Sequence, residues 1–125
     1  MTDSCARRPN ALNAVEVARR AAEVASDKQA SDVVLLDIRQ VAGFADYFVI
    51  CSGASPRQIR AIAEAVIAEL DREGVSPYQT EGTDDSGWVI IDYGAVVVHV
   101  FSPRERDYYR LERLWSEAVT LLHVQ

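Results

Sequence analysis

The sequence predicts an α/β fold in which helices flank a mixed sheet of about five strands. Apolar residues recur at helical spacing in three segments, and short apolar runs rich in β-branched residues lie between them. Gly or Pro separates most of these elements. The predicted order is helix, strand, strand, helix, strand, strand, strand, helix. At 125 residues, the chain has the size of one compact domain, and we expect residues 1–9 to form a flexible tail and residues 10–125 the domain.

The charge balance argues against one class of function. Nineteen acidic residues stand against thirteen basic ones, which gives a net charge of −6. This balance argues against a protein whose main role is to bind a nucleic-acid backbone, because that role needs clustered positive charge. It remains compatible with a partner that is itself basic.

Cysteine content and the N-terminal sequence predict a cytoplasmic location. Cys5 and Cys51 cannot form a disulfide framework, and no Cys-x-x-Cys pair is present, so we expect a reducing compartment and no zinc knuckle. The Arg pair near the N-terminus has no apolar segment behind it, which predicts that there is no signal peptide. The apolar runs are shorter than the ~18 residues that a membrane span needs.

The first half of the chain predicts a helix and two strands. The helix runs from Ala11 to about Asp27 with Asn10 as its N-cap, because small apolar residues share one face. These residues are Val15, Ala18, Ala22 and Ala25. The apolar runs over residues 32–38 and 46–51 then predict two buried strands.

The second helix has the clearest boundaries in the sequence. Ser55 is suited to the N-cap, Pro56 to the first helical position and Gln58 to the capping box. Gly74 ends the helix. Its apolar stripe consists of Ile59, Ile62, Ala63, Val66, Ile67 and Leu70.

Three strands are predicted next. A short one lies at residues 77–80, and two longer ones at residues 88–92 and 96–101 form a hairpin around Tyr93–Gly94. One hairpin face is then aliphatic and suited to packing under a helix: Val89, Ile91, Val96, Val98 and Val100.

The other hairpin face mixes large apolar groups with a carboxylate and an imidazole. It comprises Trp88, Ile90, Asp92, Ala95, Val97, His99 and Phe101, and a two-residue turn would place Trp88 opposite His99. Such a composition is typical of a recognition surface. The alternative is that a helix covers this face, with Asp92 and His99 at its edge.

A final helix is predicted after Ser102, which is suited to capping it together with Pro103 and Glu105. Its inward residues would be Tyr108, Leu111, Trp115, Ala118 and Leu122. Charges alternate in sign along residues 104–115, which is typical of a solvated helix with internal salt bridges. The functional alternative is a polar rim for a partner, with Arg106 and Tyr109 as anchors.

The sequence offers no catalytic constellation. No strand carries the Asp-x-Asp/Glu pair that a two-metal nucleotidyltransferase needs, and only His99 and His123 are available as bases. Metal ligation by His99 lacks a second ligand at suitable spacing, and Walker and Gly-x-Gly-x-x-Gly motifs are missing. We therefore expect no catalytic residue, metal or cofactor. The alternative is a divergent nucleotide-binding or nucleotidyltransferase-like enzyme.

Three segments resemble the signatures of a known family. Residues 46–50 (Asp-Tyr-Phe-Val-Ile) with 52–55 (Ser-Gly-Ala-Ser) resemble the first signature of the Iojap family, the ribosomal silencing factors. Glu81-Gly82, residues 87–94 (Gly-Trp-Val-Ile-Ile-Asp-Tyr-Gly) and residues 98–101 (Val-His-Val-Phe) resemble the second. Residues 106–115 (Arg-Asp-Tyr-Tyr-Arg-Leu-Glu-Arg-Leu-Trp) resemble the third, so the resemblance spans about residues 11–118.

This resemblance implies a cytoplasmic, non-enzymatic homodimer with a nucleotidyltransferase-like fold that lacks the catalytic carboxylates. It implies binding to the large ribosomal subunit through ribosomal protein uL14, which blocks subunit joining and lowers translation when nutrients are short. No direct nucleic-acid recognition, membrane or cofactor is expected.

The residues expected to contact the ribosomal protein or a second copy follow from the hairpin and the third signature. They are Trp88, Ile90, Asp92, Tyr93, Gly94, Ala95, His99, Phe101, Arg106 and Tyr109. The chain departs from the family pattern at one of them, because the turn that usually reads Asp-Tyr-Gly-Asp has Ala95 in place of its second acid.

Overall fold

The computed structural model describes residues 12–111 and 118–124. Within them lie helices α1 (Ala14–Asp27), α2 (Pro56–Arg72) and α3 (Pro103–Tyr109) and strands β1 (Ser31–Asp37), β2 (Tyr47–Ser52), β3 (Gln79–Thr83), β4 (Trp88–Asp92), β5 (Val96–Phe101) and β6 (Val119–Val124). The strands form one sheet in the order β3-β4-β5-β2-β1-β6, in which β2 and β5 are parallel and the other neighbours antiparallel. The predicted α/β class with a mixed sheet is confirmed, but the sheet has six strands rather than five.

Helices α1 and α2 cover one face of the sheet. Their apolar stripes pack on buried side chains that include Leu35, Val49 and Val98, all less than 1% exposed. The aliphatic hairpin face joins this core as predicted. Arg20 of α1 also forms ion pairs with Glu69 and Glu73 of α2 at 3.3 and 3.2 Å.

The helix ends differ slightly from the predicted ones. α1 is capped by Asn13, whose side chain accepts from the Glu16 N–H while Glu16 accepts from the Asn13 N–H, and Asn10 lies outside the described residues. Ser55 caps α2 as predicted. The Gln58 carbonyl, however, accepts from the Ala54 N–H at 2.6 Å, so only half of the predicted capping box forms.

The last described residues form a strand, β6, rather than the end of the predicted long helix. α3 stops at Tyr109 and Arg110 takes a left-handed φ of 49°. Three of the predicted inward residues, Leu111, Ala118 and Leu122, do pack against the apolar core, although Leu122 belongs to β6 rather than to a helix. Tyr108 is 77% exposed, so its predicted inward position is wrong, and Trp115 lies outside the described residues. Residues 119–124 form a strand because their backbone pairs with the N–H and C=O groups along the free edge of β1.

The hairpin is closed by Gly94 and Ala95 rather than by Tyr93 and Gly94. Gly94 has a φ of 84°, as the first position of a type II′ turn requires, and the Tyr93 N–H donates to the Val96 carbonyl at 2.8 Å. Trp88 therefore lies opposite Phe101, and Ile90 opposite His99. Since the register differs by two residues, the predicted faces are retained.

Candidate partner-binding surface

Three of the predicted contact residues share one face of the sheet at its β3–β4 edge. Residues directly opposite each other on neighbouring strands share a face. β4 therefore presents Trp88, Ile90 and Asp92 on the side away from α1 and α2, and its neighbour β3 presents Thr83, Glu81 and Gln79 opposite them. From here on, the name hairpin face refers to these six residues of β3 and β4 alone. All five β3 residues are exposed, and the three β4 residues are partly buried.

Trp88 is held within an aromatic cluster. Its Nε1–H donates to His99 Nδ1 at 3.2 Å, and its ring centroid lies 4.9 Å from that of Phe101 and 4.5 Å from that of Tyr109. Tyr109 itself is 40% exposed. The indole is thus fixed in one orientation while part of it remains open to solvent.

His99 and Phe101 lie beneath this surface rather than on it. Phe101 is completely buried and His99 is 5% exposed. Burial lowers the pKa of His99 to about 4, so the imidazole is neutral at pH 7. Because Nδ1 accepts from Trp88, the ring proton belongs on Nε2, which is buried and makes no hydrogen bond in the part of the chain that the structure describes.

Asp92, at one end of the hairpin face, also stabilises the adjoining β4–β5 turn. Its Oδ1 accepts from the Gly94 N–H at 2.7 Å, and the Ala95 carbonyl accepts from the N–H groups of Asp46 and Tyr47 at 2.7 and 3.0 Å. The turn is therefore tied to the start of β2. A Cβ at Gly94 would lie 2.6 Å from the ring of Tyr78.

Tyr93 lies apart from the other predicted residues. It is 8% exposed and packs into the core beneath α1 and α2, on the opposite side of the sheet. Burial raises the pKa of its phenol to about 12. Its position makes it a core residue of the isolated chain.

Arg106 is bound within its own chain. Its Nη1 donates to the Asp32 carbonyl at 2.7 Å and to Ser52 Oγ at 2.9 Å. Of the two predicted anchors on α3, Tyr109 therefore reaches the aromatic cluster, whereas Arg106 reaches the start of β1 and the end of β2.

Sequence reasoning missed several exposed groups near this surface. Glu81 lies directly opposite Ile90, and a strand placed at residues 79–83 would have found it by alternation. Tyr78 is 81% exposed beside the hairpin turn. Phe44 is 63% exposed, with its ring 5.9 Å from that of Phe48. A single aromatic residue in a connection gives no periodic signal.

Within residues 12–111 and 118–124, His, Cys, Asp and Glu form no group of three or more that could hold a metal ion. The same residues contain no helix long and apolar enough to cross a membrane. Burial raises the pKa of the Cys51 thiol to about 12, so it stays protonated and unreactive.

A family model and individual relatives of known name point to the same family. The family model described as "Ribosomal silencing factor during starvation" matches residues 11–125. The ribosomal silencing factor RsfS of Bacillus subtilis is 42% identical over 107 residues, covering 86% of this chain and 91% of the relative.

Two crystal structures share the fold. A Chromobacterium violaceum protein is 34% identical with a TM-score of 0.80, covering 84% of this chain and 88% of that one. A Bacillus halodurans protein is 37% identical with a TM-score of 0.72, covering 89% and 98%. The chain therefore belongs to the ribosomal silencing factor (RsfS) family, a family of non-enzymatic regulators of translation that bind the large ribosomal subunit.

Proposed function

We propose that this chain represses translation in the cytoplasm by binding the large ribosomal subunit through ribosomal protein uL14. Bound there, it would block joining of the two subunits by steric exclusion when nutrients are limiting. Membership of the silencing-factor family supports the action on the ribosome. The composition of the hairpin face supports a protein partner.

The observation that carries the proposal is the pairing of apolar and acidic groups on the hairpin face. Trp88 and Ile90 are partly open, and the carboxylates of Asp92 and Glu81 lie on the same face beside them. Aromatic anchors with a charged rim are typical of protein interfaces. An acidic rim on a chain of net charge −6 suits a basic ribosomal protein.

Co-sedimentation with purified large subunits tests this assignment. We expect Glu81→Gln to weaken binding about threefold at low salt and less at high salt, because the lost charge is solvent-exposed and screened. Glu64→Gln is the matched control, since Glu64 is exposed on α2 and removes the same charge from the opposite side of the sheet. Equal effects of the two substitutions would show a general charge effect and would contradict binding by the hairpin face.

A further inference from the structure

Helix α3 has little packing of its own to hold it in place. It contains seven residues, and none of them is buried. A helix this short is not stable by itself, so its position depends on contacts made by a few residues. One such contact is the hydrogen bond from the Ser102 N–H to the Gly87 carbonyl at 2.8 Å, at the start of the helix.

Arg106 supplies the second contact. Between Ser31 and Val34 the pairing of β1 with β2 shifts register, and Asp32 has a left-handed φ of 48°. Such a β-bulge leaves a residue outside the regular ladder. The Asp32 carbonyl accepts from Arg106 Nη1 at 2.7 Å, and Ser52 Oγ, on a residue only 4% exposed, accepts from the same nitrogen at 2.9 Å.

Tyr109 follows Arg106 by three residues and lies on the same side of the helix. Its ring packs on Trp88 with a centroid distance of 4.5 Å. Helix α3 thus links Arg106, bound at the β1 bulge, to Tyr109, packed on Trp88. We propose that Arg106 is a positioning residue, which makes no contact with the ribosomal partner but holds Tyr109 against Trp88 and so fixes the hairpin face for binding. This inference rests on the proposed function.

A double-mutant cycle separates positioning from direct contact. Arg106→Met should weaken co-sedimentation with large subunits about tenfold in the wild-type chain, the equivalent of about 1.4 kcal/mol. In a Tyr109→Ala background it should weaken binding no further, because the group that it positions is gone. Arg104→Met is the matched control, since Arg104 is exposed on the same helix and carries the same charge. Additive effects of the Arg106 and Tyr109 substitutions would overturn the proposal.

Ser52→Ala provides a second variant that leaves Arg106 and α3 intact. It removes one acceptor of the guanidinium, so we expect about a threefold loss of binding. If Arg106 instead contacted the partner directly, Ser52→Ala would leave binding unchanged, which would also overturn the proposal. This variant keeps the test decisive if Arg106→Met fails to fold.

The NMR resonance of the Trp88 indole N–H, assigned with Trp88→Phe, gives a readout independent of the ribosome. Arg106→Met should shift this resonance as Tyr109→Ala does, and Arg104→Met should not. An unmoved resonance would refute the positioning role. If the wild-type chain does not sediment with large subunits while the resonance shifts as expected, the proposed function fails but the link from Arg106 to Trp88 stands.

Discussion

At Trp88, packing within the chain and the proposed recognition of a partner involve the same side chain. The indole is partly buried, donates to His99 and lies against Phe101 and Tyr109. A rigid aromatic group of this kind loses little entropy on binding, which is one reason why Trp is enriched among interface hot spots.

Trp88→Ala should therefore weaken co-sedimentation with large subunits at least thirtyfold, or ~2 kcal/mol, while the chain stays folded. The binding assay is paired with a melting curve, because loss of a core aromatic residue costs ~3–5 kcal/mol of stability. Trp88→Phe serves as the control that keeps an aromatic ring against Phe101. Normal binding by a folded Trp88→Ala chain would exclude the anchor role, and early melting with retained binding would make Trp88 a core residue.

The buried imidazole of His99 predicts a dependence of stability on pH. Its folded-state pKa is about 4, below the ordinary value of 6.5, so the unfolded chain binds more protons between these values. The free energy of unfolding contributed by neutral His99 is thus complete above about pH 6.5 and is lost as the pH falls toward 4, by up to about 3 kcal/mol.

Melting curves from pH 4 to 7 for the wild type and His99→Gln measure this contribution. The Gln carbonyl can still accept from Trp88 but does not titrate. The difference between the two curves therefore isolates the effect of the imidazole from that of the carboxylates, which both proteins share. Parallel curves for the two proteins would contradict the role of His99.

At the scale of elements, the β3–β4 hairpin depends on Gly82. This residue has a φ of 82°, and a Cβ there would collide with the backbone carbonyl oxygen of Trp88, which cannot move aside as a side chain can. Gly82→Ala should lower the free energy of unfolding by ~2 kcal/mol or more. Gly43→Ala is the control, because nothing lies within 4 Å of its Cβ position. Denaturant unfolding checks both, and equal stability of the two variants would contradict this reading of the hairpin.

The elements with strong local signals were predictable. α2 has a Ser-Pro start, a continuous apolar stripe and a Gly end, and the structure places it within two residues of the predicted bounds. β6 was missed because the apolar run at residues 119–124 suits either a helix or a strand. This segment is a strand because it pairs with the free edge of β1, which is distant in sequence.

For the candidate site, the sequence predicted only which residues share a face of the sheet. Alternation along β4 and β5 placed Trp88, Ile90 and Asp92 on one side, and the structure agrees. The alternation of residues along a strand shows which face each occupies but not how deeply it is buried. Nothing in the sequence therefore distinguished buried Phe101 from partly exposed Trp88. The contacts of Arg106 depend on a bulge in β1, which has no sequence signature in this chain.

At the scale of the whole molecule, each face of the sheet carries an apolar cluster. Among the described residues, α1 and α2 pack on one cluster, and Leu111 and Ala118 pack on the other, which is centred on Phe48 and Phe101. Exposed apolar side chains include Phe44 and, on β6, Val119, Leu121 and Val124. Exposed apolar groups of this kind favour self-association.

We therefore expect a two-fold homodimer. Light scattering over a concentration series should give a mass near twice 13.9 kDa at micromolar concentration. A strictly monomeric mass throughout the series would contradict it.

The most direct test of the proposed silencing is the joining of purified ribosomal subunits, followed by gradient sedimentation with and without this protein. Added before the small subunit, the wild-type chain should move with the large subunit and lower the fraction of joined ribosomes in proportion to its occupancy. Trp88→Ala at the same concentration should leave joining intact. An unchanged fraction of joined ribosomes with the wild-type chain bound at saturation would contradict steric block of subunit joining.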